Sequence, residues 1–366
     1  MVEIHVCHCQ GNSLPQDWTT ARALNTRFAP FLFAAETLNT IDTFAQRYLR
    51  EWDRRATVRT RPRYRLPADI DLSRLFPIGF QPIAQHEAVV ALGEKVVHEL
   101  LARAVYLWQA TVADLEVDIV ADLCGRLAGG TFHFPLPASV RQVARTIGVD
   151  EFYHAYAARE FIADLRQHTG IDPDSDHDQS ASYPLATALA SVRSNVDPAI
   201  LGDAEIMVLC FAENFVTEEL FGLVKNTEKD TAFHITLREH LVDEGRHQTF
   251  FQMLMRHIWQ EIDEATRTEL GRLLPGFLDA LVLDRKAWME NDLRFLGRLG
   301  FDRKRSLEIL RESYVAAYGE RPPPRHQMLM TRRLANLLKV ARIDTHGPTR
   351  DALVRAGWID DQTAVA

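Results

Sequence analysis

The chain has 366 residues, 46% hydrophobic and 25% charged, with a formal net charge of −8. The acidic balance disfavours a nucleic-acid partner, which calls for a basic surface, and no apolar run approaches the ~20 residues needed to cross a bilayer. The start, MVEIHVCHCQGNSLPQDW, has no basic opening followed by an apolar stretch, so no secretory signal is expected and the chain reads as cytoplasmic.

Residues 1–85 combine one helical segment, near 31–55, with Pro- and Arg-rich connections such as TRPRYRLP, and are expected to wrap the main body. Cys7-His8-Cys9 is a single thiol pair without the second pair that a structural zinc site requires, and reads as a short strand or arm. A long helical pattern then covers 86–128 and stops at Gly129-Gly130. The next helix spans 138–168, after the Pro-rich HFPLP. A polar connection over 169–197 is long for a bundle and reads as the crossover that a ferritin-like topology needs. Helices follow at 199–226, 230–261 and 264–298, the last with a kink expected at Pro275-Gly276. Shorter helices near 302–317, 324–342 and 348–356 close the chain. Strand signals are scarce. The expected class is all-α: a ferritin-like four-helix bundle over 86–300, the wrapping segment before it, and C-terminal helices over 301–366 packed upon it.

The informative residues are ionisable groups on faces that helical periodicity assigns to the core. Steps of three and four in the first long helix run through Val105, Gln109, Val112, Ala113, Glu116, Ile119, Val120, Leu123 and Leu127, with Glu116 amid the apolar stripe. The second stripe, from Val143 to Leu165, is interrupted by Glu151 and His154. Glu213 lies inside MVLCFAENFV, which is apolar nearly all round. The fourth helix carries Phe233, Leu237, His240, Glu244, His247, Phe251 and Leu254 on one strip, and its three ionisable positions fall within about 60° of one another. Cys124 and Cys210 sit in apolar patterns as small core residues.

A lone buried carboxylate costs several kcal/mol unless it is neutralised, paired or metal-bound. The stripes carry no neighbouring Arg or Lys, so four acids and three imidazoles on four helices point to metal. Four carboxylates balance two divalent ions, and mixed oxygen and nitrogen donors suit iron or manganese. One Glu from each of two helices, with a Glu-x-x-His pair from each of the others, is the donor pattern of di-iron carboxylate bundles. Here Glu116 and Glu213 are the single acids; Glu151-Phe-Tyr-His154 and Glu244-Gly-Arg-His247 are the pairs. Glu99 competes with Glu116 on the same helix, while Asp114 and Asp118 lie nearby but face other directions; Glu218 and Glu219 compete with Glu213. An Asp precedes each pair. Because ligand histidines usually give their second N–H to a carboxylate, Asp150 is expected to pair with His247 and Asp243 with His154; surface aspartates are the alternative.

This set resembles the p-aminobenzoate N-oxygenase family of di-iron enzymes over roughly residues 86–300. Other di-iron carboxylate enzymes share the two Glu-x-x-His pairs. The N-oxygenases add a third histidine one turn before the second pair, and this chain has it in His240-Leu-Val-Asp243-Glu244-Gly-Arg-His247. Ribonucleotide reductase small subunits, by contrast, place a radical tyrosine one turn after the first pair's histidine, where this chain has Ala158. The resemblance implies a monooxygenase with metal ligands Glu116, Glu151, His154, Glu213, His240, Glu244 and His247, supported by Asp150 and Asp243. It implies two iron ions, O2 as co-substrate and an external electron donor, since no flavin or iron–sulfur motif is present. The expected reaction turns an amino group into a hydroxylamine, nitroso or nitro group in natural-product biosynthesis. Expected partners are a small-molecule or carrier-bound amine and an electron-donor reductase, with a homodimer as the assembly. A di-iron hydroxylase or desaturase acting on carbon, and a non-catalytic metal-binding bundle, are the alternatives. Trp108, Val112, Phe211, Asn214 and Phe215 flank the ligands and are read as either pocket or plain core.

Overall fold

A computed structural model describes residues 41–172, 184–229, 231–283, 286–320 and 329–360; Cys7-His8-Cys9 and residues 31–40 lie outside them. Every regular element among the described residues is helical. Helix α1 (Ile41–Arg55) and the single turn α2 (Thr57–Thr60) precede an irregular stretch of short 3-10 turns. The bundle core is α3 (Glu94–Leu115), α5 (Ala138–Thr169), α7 (Leu201–Asn226) and α8 (Ala232–Glu261). Between α3 and α5, a π-helical segment over Glu116–Ala121 leads into α4 (Asp122–Gly129). Helix α6 (Pro184–Asn195) lies before α7. The chain then runs through α9 (Glu264–Leu283), α10 (Lys286–Arg298), α11 (Arg303–Tyr318), α12 (Leu329–Val340) and α13 (Gly347–Arg355). No described helix is long and apolar enough to cross a membrane.

The differences from sequence expectation have local causes. The first long helix starts at Glu94, not at 86, because Gly93 adopts φ 102°, a conformation that breaks the ladder after the short turn Glu87–Val90. The connection over 169–197 is not all loop: α6 occupies its second half. Leu185, Ala188, Leu189 and Val192 follow the 3, 4, 7 spacing of a buried helix face, a pattern masked by the polar run before it. Pro275 lies inside α9. Cys124 and Cys210 are fully buried and free, as small core residues.

Helices α3 and α5 pack as one pair and α7 and α8 as another. Five residues join α7 to α8, and the Thr231 hydroxyl caps α8 by accepting from the His234 amide at 3.2 Å. Helix α1 lies across α5 and α8. At the other side α13 packs on α9, where Gly271 allows the contact: an added Cβ would stand 1.8 Å from Thr349 Oγ1.

The apolar core is divided. One cluster takes Leu115–Cys124, Val140–Ile147, Ala204–Phe215 and Phe250–Ile258. The other takes Leu100–Ala110, Phe161–Leu165, Leu220, Leu223 and Phe233–Leu241. On the four core helices the two clusters part between 110 and 115, 147 and 161, 215 and 220, and 241 and 250. Ala113, Ala155, Ala158 and the buried Glu151, His154, Glu244 and His247 lie within these gaps, and Glu116, Glu213 and His240 lie within two residues of them.

Candidate metal centre

Glu116 opens the π-helical segment, which inserts an extra residue per turn and is a common device at functional sites. The widened turn keeps Ile119, Val120, Leu123 and Leu127 buried while presenting Glu116, 2% exposed, to the polar layer. Periodicity located Glu116 but carried no sign of the π turn.

Two clusters of donors form. Glu116, His154, His240 and Glu244 each offer one atom within 4.8 Å of the rest; Glu151, Glu244 and His247 do the same. Glu244 belongs to both. Its Oε1 lies 3.1 Å from His240 Nε2, 3.3 Å from His247 Nδ1 and 3.5 Å from His154 Nδ1, so three imidazoles converge on one oxygen. Glu151 also spans the clusters, with Oε2 2.8 Å from His154 Nδ1 and Oε1 2.9 Å from His247 Nδ1. His240 Nε2 stands 3.3 Å from Glu116 Oε1. Glu213, 3% exposed, belongs to neither cluster; its Oε2 is buried without a hydrogen-bond partner, and Glu244, Glu151 and Glu116 are its electrostatic neighbours. Of the other acids on these helices, Asp114 pairs with Arg159, Glu99 with Arg103 and Glu218 with Arg333.

The electrostatics match a cation site. Burial, aided by the Glu151 charge, raises the Glu116 carboxyl to about 7. Burial and the three neighbouring glutamates push Glu213 well above the carboxylate range. Glu244 is held well below it: burial opposes this, but His247 and the His240 hydrogen bond prevail. His154 and His247 are raised against the pull of burial by the carboxylates around them. Glu205 shows what an ordinary buried acid looks like here, with Arg126 and Arg193 each at 2.7 Å. Among the described residues, no arginine forms an ion pair with Glu116, Glu151, Glu213 or Glu244. Orphaned buried atoms test the fit to metal directly. Glu151 Oε1, Glu213 Oε2 and His247 Nδ1 are all buried and outside hydrogen-bond geometry, although the first and last are only 2.9 Å apart. Donors that close and misaligned for each other suit a shared third body, and an all-glutamate and histidine set suits iron or manganese.

Around the donors stands a second layer. Asp243 accepts from His154 Nε2 at 3.0 Å, and Asp150 from His247 Nε2 at 3.2 Å, each across the bundle. This engages Nε2 with the aspartates and turns Nδ1 of both rings inward, toward the donor cluster. Arg246, 4% exposed, donates through Nη2 to both aspartates. The apolar stripes themselves carry no arginine; Arg246 lies one residue before His247, and its hydrogen bonds go to the two aspartates. Trp52 Nε1 reaches Asp150 at 3.0 Å, and the Thr57 amide reaches Asp243 at 3.2 Å, joined by the Thr57 hydroxyl. Tyr48, buried with its hydroxyl unpartnered, lies 5.8 Å from the Arg246 guanidinium. Sequence reasoning missed Tyr48, Trp52 and Thr57 because they come from the wrapping segment, where only three-dimensional packing brings them to the layer.

A cleft opens on the His154 and His240 side, lined also by Gln109, Tyr153, Ala158 and Phe161. The Gln109 amide nitrogen there is buried and unpartnered. Of the flanking residues named from sequence, Trp108 pairs its ring with Trp288 at 6.3 Å and Phe211 is fully buried core. Asn214 accepts from Gln252 at 2.8 Å.

The profile of the family described as P-aminobenzoate N-oxygenase AurF matches residues 39–312. The match extends the expected resemblance of 86–300 to include α1 and α2, which supply Trp52 and Thr57. No curated protein matches the chain.

Proposed function

The chain belongs to the p-aminobenzoate N-oxygenase family, and from that premise we propose that it is a di-iron, O2-dependent monooxygenase that oxidises an amino group to a hydroxylamine, nitroso or nitro group. The observation that carries this reading is His240, whose Nε2 lies 3.1 Å from Glu244 and 3.3 Å from Glu116. A third nitrogen donor is what separates this family from di-iron enzymes that act on carbon with two.

Glu116, Glu151, His154, Glu213, His240, Glu244 and His247 would together hold the two irons. Two irons so held supply the reductive activation of O2, the chemistry that the protein alone lacks. The chain's own part is positional. Asp150 and Asp243 engage Nε2 of His247 and His154, so Nδ1 is the ring atom that both histidines would offer to a bound metal. The two apolar clusters above and below the layer exclude water and strengthen every charge interaction inside it. Ala158 lines the cleft beside His154 and His240, where a larger side chain would intrude. The amine, free or carrier-bound, is oriented with its nitrogen toward the centre. Electrons come from a separate reductase.

The test is aerobic incubation of the reduced, iron-loaded protein with arylamines and aliphatic amines, followed by mass analysis. Two irons per chain and a product heavier by one oxygen on nitrogen is the expected result. Fewer than one metal per chain after reconstitution overturns the di-metal reading; oxygen inserted only at carbon overturns the N-oxygenase reading.

A further inference from the structure

The centre is buried, so electrons from outside need an entry. Among the described residues, the second layer reaches the surface through Trp52. This half-buried indole donates to both oxygens of Asp150 at 3.0 Å, and Asp150 in turn accepts from His247 Nε2 at 3.2 Å. Two hydrogen bonds thus join a surface ring to an imidazole whose other nitrogen faces the donor cluster.

The surroundings of Trp52 are cationic. Residues 41–65 contain eight arginines against three acids, in a chain whose overall charge is −8; Arg61 is paired with Glu239, and Arg63 with Glu160 and Asp164, from other helices. Arg59 stands 5.8 Å over the indole and is 54% exposed; Arg54 is 71% exposed and Arg55 47%. Glu51 and Asp53 pair with these arginines but are outnumbered by them. Beside this patch the outer face of α5 exposes a large apolar stripe, Val149 at 48%, Phe152 at 60% and Tyr156 at 52%. Tyr153, whose ring lies 6.4 Å from Tyr156, carries that stripe to the cleft shared with Thr57. An apolar patch with a charged rim is the anatomy of a protein-docking surface.

We propose that this face receives a small acidic one-electron carrier protein and that Trp52 and Asp150 form the route from that carrier to His247. The inference rests on the di-iron reading above. The carrier would give up one electron per encounter, so two encounters would supply the two electrons that a pair of ferric ions needs to become ferrous. Positive charge around Trp52 draws the acidic partner, and the stripe on α5 gives it an apolar seat. Trp52 acts through Asp150, as a positioning and conducting residue.

The experiment mixes the oxidised, iron-loaded full chain with a reduced plant-type [2Fe–2S] ferredoxin in a stopped-flow instrument and follows bleaching of the metal centre. Metal content is measured for every variant. The second-order rate should fall as salt rises, and Arg54→Glu with Arg59→Glu should lower it about tenfold or more at low salt. Trp52→Leu should slow reduction at saturating ferredoxin, and Trp52→Tyr, which keeps a ring and a donor, should recover part of the rate. The proposal is overturned by salt-independent rates that the charge reversals leave unchanged, or by Trp52→Leu that holds two irons and is reduced as fast as the parent. It is also overturned if light scattering shows a dimer that Phe152→Glu splits, since the patch then seats a second copy of the chain. Should Trp52→Leu lose its metal, the charge-reversal pair, on exposed side chains remote from the donors, decides the matter. Failure of the amine assay with chemically pre-reduced protein would strike the N-oxygenase reading and leave these reduction kinetics standing.

Discussion

His154 Nε2 lies 3.0 Å from Asp243, the residue just before Glu244 on the facing helix. The reciprocal contact joins His247 Nε2 to Asp150, just before Glu151, at 3.2 Å. Each helix therefore carries donors for the centre and, one residue earlier, the carboxylate that orients the other helix's histidine.

Asp243→Asn tests that arrangement. Asparagine keeps an acceptor but loses the charge that sets the His154 tautomer and basicity. Metal affinity should fall ~10–100-fold, measured by competition titration with a chelating dye, while the far-UV circular dichroism stays helical. Unchanged affinity would reduce Asp243 to a packing role.

His240→Ala removes the third nitrogen while Glu116, Glu151, Glu244 and both other histidines remain. Iron should drop from two toward one per chain, and N-oxygenation should be lost with the helical signal intact. A variant that keeps two irons and its activity takes His240 off the ligand set.

Arg246→Met leaves Asp150 and Asp243 buried without their shared cation. Stranding buried charge in this way costs ~3–5 kcal/mol. Urea unfolding of the metal-free protein should show that loss, and adding Asp243→Asn to the same chain should restore part of it. A metal-free stability equal to the parent's would mean the aspartates are already satisfied by Trp52 and Thr57.

Asp292 offers a pH test away from the metal layer. It is buried among helices α10 and α11, accepting from Gln81 at 3.0 Å and from Tyr314 at 3.2 Å, and burial raises its carboxyl to about 7. A carboxyl raised in the folded state favours folding only while protonated. Its contribution is whole below pH ~4, and is lost as pH rises through about 7. Asp292→Asn should therefore match the parent near pH 4 and exceed it above pH 7, by up to ~4 kcal/mol from a shift of about three pKa units. Thermal melts across pH 4–8 read the difference. A gap that shrinks with rising pH would show that Asp292 is ionised and paired instead.

The all-helical class, the four long helices and their seven ionisable residues were legible because a helix of 3.6 residues per turn prints its buried face onto the sequence. Glu116, Glu151, His154, Glu213, His240, Glu244 and His247 stood out as charge on faces otherwise apolar, and the cost of burying charge made them a group before any coordinate was known. Helix α6 followed the same rule and was readable from Leu185, Ala188, Leu189 and Val192, yet was hidden by its polar neighbours. The start at Glu94 and the π turn at Glu116 depended on backbone conformations that apolar spacing does not encode. Tertiary structure alone decided how the helices meet: that Glu244 Oε1 receives three imidazoles, that Arg246 serves both aspartates, and that α1 brings Trp52 to Asp150 across 98 residues of chain. Periodicity reports which face of a helix is buried. It carries no information about which other face lies opposite, and the chemistry of this centre is made between faces.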